Sequence, residues 1–373
     1  MLLSLTGCGS KNDESSKDNS NDVAKEKEEE KETIKLNQEL SDVETFVINE
    51  QDVVGVKKDG TTVMIMKGIA KNKKMHSIEY ADGKIYISNA ETKLDYPTKN
   101  SRSKMLVAKK IWYDEIDLTR GDGNYVAVKV YEYDNEDLEN TLMPAPHVYN
   151  GKLYIVKNAN EIISIDLGTK EVEVVDSEIS KKLNNTIYGT YIYLDKENGN
   201  LFYMGPVGDK VSLAKYDLKT NKREIIESNN NVVFHFWQFT KDGMIFDVQH
   251  YDGDYNMEVK KYTFSDNKVV NLTDSYVNAY YACGDNYVVE LDAGAVYDYD
   301  FGPHYMNIVV QDKNFKEVKK IFEKVNNESA ILLSPYTYDK VLVSDGKKNY
   351  ILDCTSLELK ETSNMYTQVA IVK

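Results

Sequence analysis

Two segments of this 373-residue chain gather side chains that could do chemistry. The stretch 249–257 carries Gln249, His250, Tyr251, Asp252, Asp254, Tyr255 and Asn256, and the stretch 292–306 carries Asp292, Tyr297, Asp298, Tyr299, Asp300, His304 and Tyr305. Tyrosine rings beside carboxylates can stack on a sugar or grip a peptide, while the carboxylates accept hydrogen bonds or ligate a cation. Tyr251, Tyr255, Tyr297, Tyr299 and Tyr305 are the expected stacking surfaces, Asp252, Asp254, Asp298 and Asp300 the expected acceptors, and His304 a further contact. In a chain with 28 tyrosines the same content also suits a merely solvated loop. Asp252, Asp254 and Asn256 alternate as in a calcium loop. The sixth position is Met257 where Gly is required, and the twelfth is Thr263 where Glu is required, so an EF-hand is excluded. The metal expectation that remains is an irregular Ca²⁺ site completed by Asp298 or Asp300. No other cofactor is expected.

Signatures of enzymes are missing: the chain has no G-x-S-x-G, no H-E-x-x-H, no phosphate loop and no C-x-x-C. Paired carboxylates could hydrolyse glycosides if correctly spaced, but sequence adjacency does not set that distance. Of the five histidines, His76, His147 and His235 fall in or beside expected strands and read as packing or hydrogen-bonded residues, which leaves His250 and His304 as site candidates. Arg120-Gly121-Asp122 is an integrin-type tripeptide that chance readily supplies, and Trp112 and Trp237 read as blade packing. With 46 basic against 61 acidic residues the net charge is −15, which argues against a nucleic-acid partner because phosphate neutralisation needs a basic face.

The elements that must position these residues repeat. An alternating strand, an Asp-Gly or Asn-Gly turn and a second alternating strand occur at 78–87 and again at 147–155, and the unit returns around Gly199, Gly243 and Gly284. The turn glycines are expected to supply the positive φ of tight hairpins. A second motif follows, a strand ending in Asp, a short polar turn and another strand, at Asp166, Asp217 and Asp353. These aspartates read as turn chemistry, their side chains bonding local backbone.

Two hairpins per period of about 40 to 50 residues make a four-stranded propeller blade. The expected fold is therefore all-β: a β-propeller over residues 43–373, with blades near 76–134, 145–176, 187–228, 232–274, 278–324 and 329–363. Three strands in 44–67 and the lone strand 367–372 complete a seventh, with the C-terminal strand innermost, which removes exposed edges. Different cuts of the long second blade would give six or eight. The chain resembles secreted bacterial propellers of degenerate repeat, in the style of the YWTD and TolB-type propellers; no WD, paired kelch glycines or YWTD tetrapeptide occurs, so the resemblance carries no functional residue. Because strands alternate in direction, second-to-third strand loops share one face, and three are expected to be long: 89–103, 249–257 and 292–306. The last two belong to neighbouring blades and should form one acidic, aromatic patch.

Leu5-Thr6-Gly7-Cys8, followed by Gly9 and Ser10, resembles a bacterial lipobox. That family is cut before the cysteine, here Cys8, whose thiol then carries a diacylglyceryl group. Residues 1–7 would be the remnant of a signal, lacking the basic start and the apolar stretch of about 7–15 residues that such signals need. Residues 8–42, almost without apolar side chains up to residue 35, cannot offset chain entropy by burial and read as a disordered polar tether. Two acyl chains hold a protein on a membrane without spanning it. The expected location is the extracytoplasmic face of the cell membrane, and the excess of 43 lysines over three arginines suits an AT-rich genome such as those of Gram-positive bacteria. Lipidation leaves Cys283 and Cys354. An even remainder permits a disulfide, but their place in hydrophobic strands of different repeats favours two buried thiols.

Together these features point to a monomeric cell-surface lipoprotein acting as a non-enzymatic binding module for a glycan, peptide or partner protein of the envelope. The alternatives are a carbohydrate-active enzyme on the same face and an assembly scaffold.

Overall fold

In the computed structural model, the residues described are 36 and 38–371, except 50, 69–72, 97–103, 137–143, 180–181, 184–185, 188–190, 231, 241, 251–255, 274–276, 293–304, 327–332, 346 and 363–367. Cys8, the signal remnant and most of the proposed tether lie outside them. The described chain from Val43 onward forms seven antiparallel sheets of four strands each. Blade 1 contains Val43–Asn49, Asp52–Lys57 and Thr62–Met66, with Gln368–Ile371 as its fourth strand. Blades 2 to 7 are consecutive in sequence: 73–134, 147–176, 191–229, 232–273, 277–326 and 333–362. A two-stranded ribbon, Lys182–Leu183 with Thr186–Ile187, sits between blades 3 and 4. The seven-bladed expectation holds, and each expected boundary falls within a few residues of the observed one.

Closure follows the expected scheme. Gln368–Ile371 pairs antiparallel with Val43–Asn49, and Thr45 Oγ1 donates to Ala370 O at 3.0 Å inside the blade. First strands of successive blades touch at most seams, and the C-terminal strand takes this inner place between blades 7 and 2; between blades 4 and 5 it is Asn200–Val207 and Lys210–Asp217 that meet Val232–Thr240, so the contacts run round the whole ring.

Seven buried clusters hold the ring, one at each seam between blades. The period of 2 explains how one strand serves two seams. In the second strand of blade 2, Ile85 and Ile87 join the cluster facing blade 1, while Tyr86 and Ala90 join the one facing blade 3. Inner strands are buried on both sides, and outer strands such as Val172–Asp176 and Glu358–Thr362 are mostly exposed.

The expected turn chemistry is present. Asp166 Oδ1 accepts from the backbone N–H groups of Gly168 and Thr169 at 2.9 and 2.8 Å, and Asp217 and Asp353 do the same in their own turns. Asp82–Gly83 and Asn150–Gly151 supply two successive positive φ values, as tight hairpins need. Gly243 is different: a Cβ there would meet the Tyr262 carbonyl oxygen at 2.1 Å, so close approach of backbone, and not turn conformation, demands glycine.

Two expectations are corrected. Cys283 and Cys354 are bonded, with Cα atoms 5.8 Å apart. They lie in different repeats, but those repeats are adjacent blades, and the end of the first strand of blade 6 meets the last turn of blade 7. The segment 89–103 is also not a loop throughout. Asn89 to Asp95 continue the strand Lys84–Asp95, which pairs with Met105–Asp117 into a hairpin longer than any other in the ring.

Candidate functional site

The two faces of the ring are set by strand order. Second-to-third strand loops leave on one face, here the upper, and the other turns within blades leave on the lower face. Segment 251–255 joins the second and third strands of blade 5, Gly243–His250 and Asn256–Thr263. Segment 293–304 joins the second and third strands of blade 6, Asn286–Asp292 and Tyr305–Gln311. Both therefore leave the upper face from adjacent blades, as the parity argument requires. Tyr251, Asp252, Asp254, Tyr255, Tyr297, Asp298, Tyr299, Asp300 and His304 lie outside the described residues. Asn256 opens a strand opposite His250, and Tyr305 opens one opposite Asn326.

The bases of these loops are described and polar. His250 Nε2 is 3.5 Å from Glu258 Oε2, and Lys260 binds both Glu258 (2.9 Å) and, in blade 4, Glu227 (2.6 Å). Burial pushes the Glu258 carboxyl up, but Lys260 and His250 outweigh it and hold it below its ordinary range. His250 is thus engaged at the base of the loop. Beside it the buried Asp247 accepts from Gln249 Nε2 at 3.0 Å and lies 3.2 Å from His235 Nδ1. In blade 6 the buried Glu290 is pushed up to about 6 by desolvation, against a hydrogen bond from Asn278. Among the described residues no three His, Cys, Asp or Glu side chains cluster as a metal site.

The lower face holds a groove of about 780 Å³ that no sequence motif announced. It runs between blades 5 and 6, where Phe239, Phe264 and Tyr287 give it aromatic walls, and Tyr338 of blade 7 and Glu197 of blade 4 stand at its inner end. Phe239 stacks on Tyr193 of blade 4 at 5.0 Å, and Tyr193 lies 5.8 Å from the His147 ring of blade 3. Lys261 is paired with Asp242 at 2.8 Å. Burial raises Asp242, but Lys261 and the Thr240 hydroxyl outweigh it and keep it low. The groove residues come from four blades, partly from strand ends and partly from short turns, so spacing in the chain gives no signal of them. The groove combines ring faces with acceptors and can hold a small polar ligand.

His147 and His235 are the hydrogen-bonded residues the sequence suggested. His147 Nδ1 is 3.3 Å from Glu79 Oε2, and Lys196 Nζ is 2.6 Å from Glu79 Oε1. Burial favours the neutral carboxyl at Glu79, yet Lys196 and His147 prevail and pull it down to about 2. Trp112 is buried, its Nε1 donating to Asp114; the side chain of Trp237 is not described.

Comparison of the sequence with protein-family models and with curated proteins finds no match. Solved structures do resemble the chain. A prolyl endopeptidase, from a study of inter-domain dynamics in catalysis and specificity, matches 87% of this chain at 10% identity with a TM-score of 0.56. The chain spans about half the length of that protein, 47%. A putative 6-phosphogluconolactonase from Bacteroides fragilis matches 89% of this chain and 99% of its own at 10% identity and a TM-score of 0.50. TolB from Acinetobacter baumannii covers 74% of this chain and 62% of its own, at 13% identity and a TM-score of 0.44. At such identities the likeness extends to the fold and no further: this chain is a seven-bladed β-propeller.

Proposed function

We propose that the chain is a lipid-anchored binding module on the extracytoplasmic face of the cell membrane, taking a glycan, cationic peptide or partner protein of the envelope. One observation carries the reading: the strands that anchor 251–255 and 293–304 occupy corresponding places in adjacent blades, so both segments leave the same face of a rigid ring. Loops on a rigid scaffold are where recognition concentrates. The five aspartates in 249–257 and 292–306, with no Lys or Arg, repel anions and favour neutral sugars, cationic peptides or Ca²⁺. The anchor rests on Cys8 and its flanking residues.

The test has two arms. Melting curves with calcium, magnesium and EDTA should show calcium raising the transition by mass action, and glycan titration should lose affinity in a Tyr297→Ala, Tyr299→Ala variant. No effect of any cation or ligand would reduce the two segments to solvated loops. For the anchor, a Cys8→Ala variant expressed behind a lipoprotein export signal should be released into the medium while the wild type stays with membranes.

A further inference from the structure

The long hairpin of blade 2 has one face that exposes two leucines and a tyrosine beside a lysine. Leu94 and Leu106 are cross-strand partners, 58% and 49% exposed. Alternation puts Tyr96 and Lys104 on their side, and Lys104 Nζ lies 5.5 Å from the centre of the Tyr96 ring, which is 47% exposed. The opposite face is anchored, since Val107, paired with Lys93, is buried. Two leucines, a tyrosine and an ammonium group side by side are the side chains that partition into the headgroup boundary of a bilayer.

The local charge fits the same environment. In a chain of net charge −15, residues 91–110 hold six basic residues, Lys93, Lys99, Arg102, Lys104, Lys109 and Lys110, against Glu91 and Asp95. Lys109 is partly neutralised by Asp95 at 3.0 Å, and Lys110 by Glu132 and Asp134, each at 3.9 Å. The hairpin leaves the upper face at blade 2, across the ring from blades 5 and 6, whose upper connections 251–255 and 293–304 carry four aspartates and no Lys or Arg. An anionic surface would attract the first side and repel the second, which orients the ring.

We propose that this hairpin docks on an anionic lipid membrane, with Leu94, Tyr96 and Leu106 at the headgroup boundary and Lys104 against the lipid phosphates. A soluble polyanion would satisfy the lysines but would leave the leucine pair in water, which is why the membrane is the occupant. The inference deepens the surface-lipoprotein reading: an acyl anchor holds the protein near the bilayer, and the hairpin sets which side of the ring faces it.

The experiment uses the full chain with Cys8→Ser, so no acyl group contributes, floated with vesicles of phosphatidylcholine alone and of phosphatidylcholine mixed equally with phosphatidylglycerol. Binding is expected only to the anionic vesicles and should fall as salt rises. Leu94→Glu with Leu106→Glu, and separately Lys104→Glu, should each weaken it about tenfold or more. Val174→Glu, on an exposed outer strand of blade 3, should leave it unchanged. Melting temperatures are read for every variant, and Leu94→Ser with Leu106→Ser replaces the glutamate pair if that pair melts early. Full binding by the leucine variants overturns the proposal, as does binding to neutral vesicles. Competition by soluble polyphosphate with no dependence on the leucines would overturn it in favour of a polyanion site. Fractionation of Cys8→Ala reads the anchor separately, so either idea can fail without the other.

Discussion

Two regions of the ring are joined by opposite means. Between blades 6 and 7 the seam is apolar and covalent: Cys283 and Cys354 are bonded within a cluster that includes Val288, Ile308, Leu333 and Val341, and Asn286 Nδ2 donates to the Cys354 carbonyl at 2.9 Å. Among blades 2, 3 and 4 the lower mouth is ionic, with Glu79 held by Lys196, by His147 and by the backbone N–H of Val148 at 3.1 Å. Lys196 also donates to the Tyr80 carbonyl at 3.2 Å, so one side chain ties blade 4 to blade 2 across blade 3. A covalent seam answers to redox conditions and is indifferent to pH, while an ionic one responds to acid. The ring therefore has one seam that weakens under reduction and another that weakens under protonation.

Opening the circle that both seams share should have the largest effect. Deleting residues 366–373 removes the inner strand of blade 1 and exposes the Val43–Asn49 edge. A fall in melting temperature of about 10 °C or more, with self-association on a sizing column, is expected. An unchanged monomer would mean that the seams alone close the ring.

The covalent seam comes next. Cys283→Ala with Cys354→Ala frees a loop of 71 residues in sequence and should cost about 2–4 kcal/mol in denaturant melts. The wild type under reducing conditions should match it, and the double variant should be insensitive to reductant.

For the ionic seam the expected loss is about 1–2 kcal/mol, because Lys196 is partly exposed and solvent screens it. The folded Glu79 carboxyl sits at about 2, below its ordinary 4.5, so its contribution is complete above 4.5 and disappears as pH falls from there toward 2. A Glu79→Gln variant should therefore lie below the wild type at neutral pH and converge on it near pH 2. If the gap persists in acid, the ionic account of this seam is wrong.

The smallest effect has the opposite sign. Glu290, buried in blade 6, has its carboxyl raised to about 6, so ionising it at neutral pH costs stability, and the wild type should gain stability as pH falls from 6 toward 4.5. Replacing it by Gln should stabilise the protein by about 1 kcal/mol at pH 7 and remove that gain. Together with Glu79→Gln this separates acid responses of opposite direction in blades 2 and 6.

Much of this molecule was legible as a string. Strand alternation, the Gly of the hairpin turns and the Asp that caps the third-to-fourth strand turn are local devices, set by φ preferences and hydrogen bonds within a few residues, and they gave blade boundaries and strand parity without any coordinates. Parity alone also assigned 251–255 and 293–304 to one face. The lone strand at the C-terminus had no hairpin partner, which itself pointed to closure.

What only the tertiary structure decided lies between blades. Cys283 and Cys354 meet because a ring brings repeat n against repeat n+1 at one height, a relation that depends on blade twist and not on residue type. The groove beside Phe239 and Tyr287, the reach of Lys196 across blade 3, and the steric demand at Gly243 have the same origin. The blade 2 hairpin was hidden for another reason: past Ala90 no residue up to Asp95 is buried, so this part of the strand carries no apolar alternation and reads as a polar loop. Sequence specifies what each strand buries, since alternation is a property of the chain. Which neighbour it is buried against is a property of the closed ring.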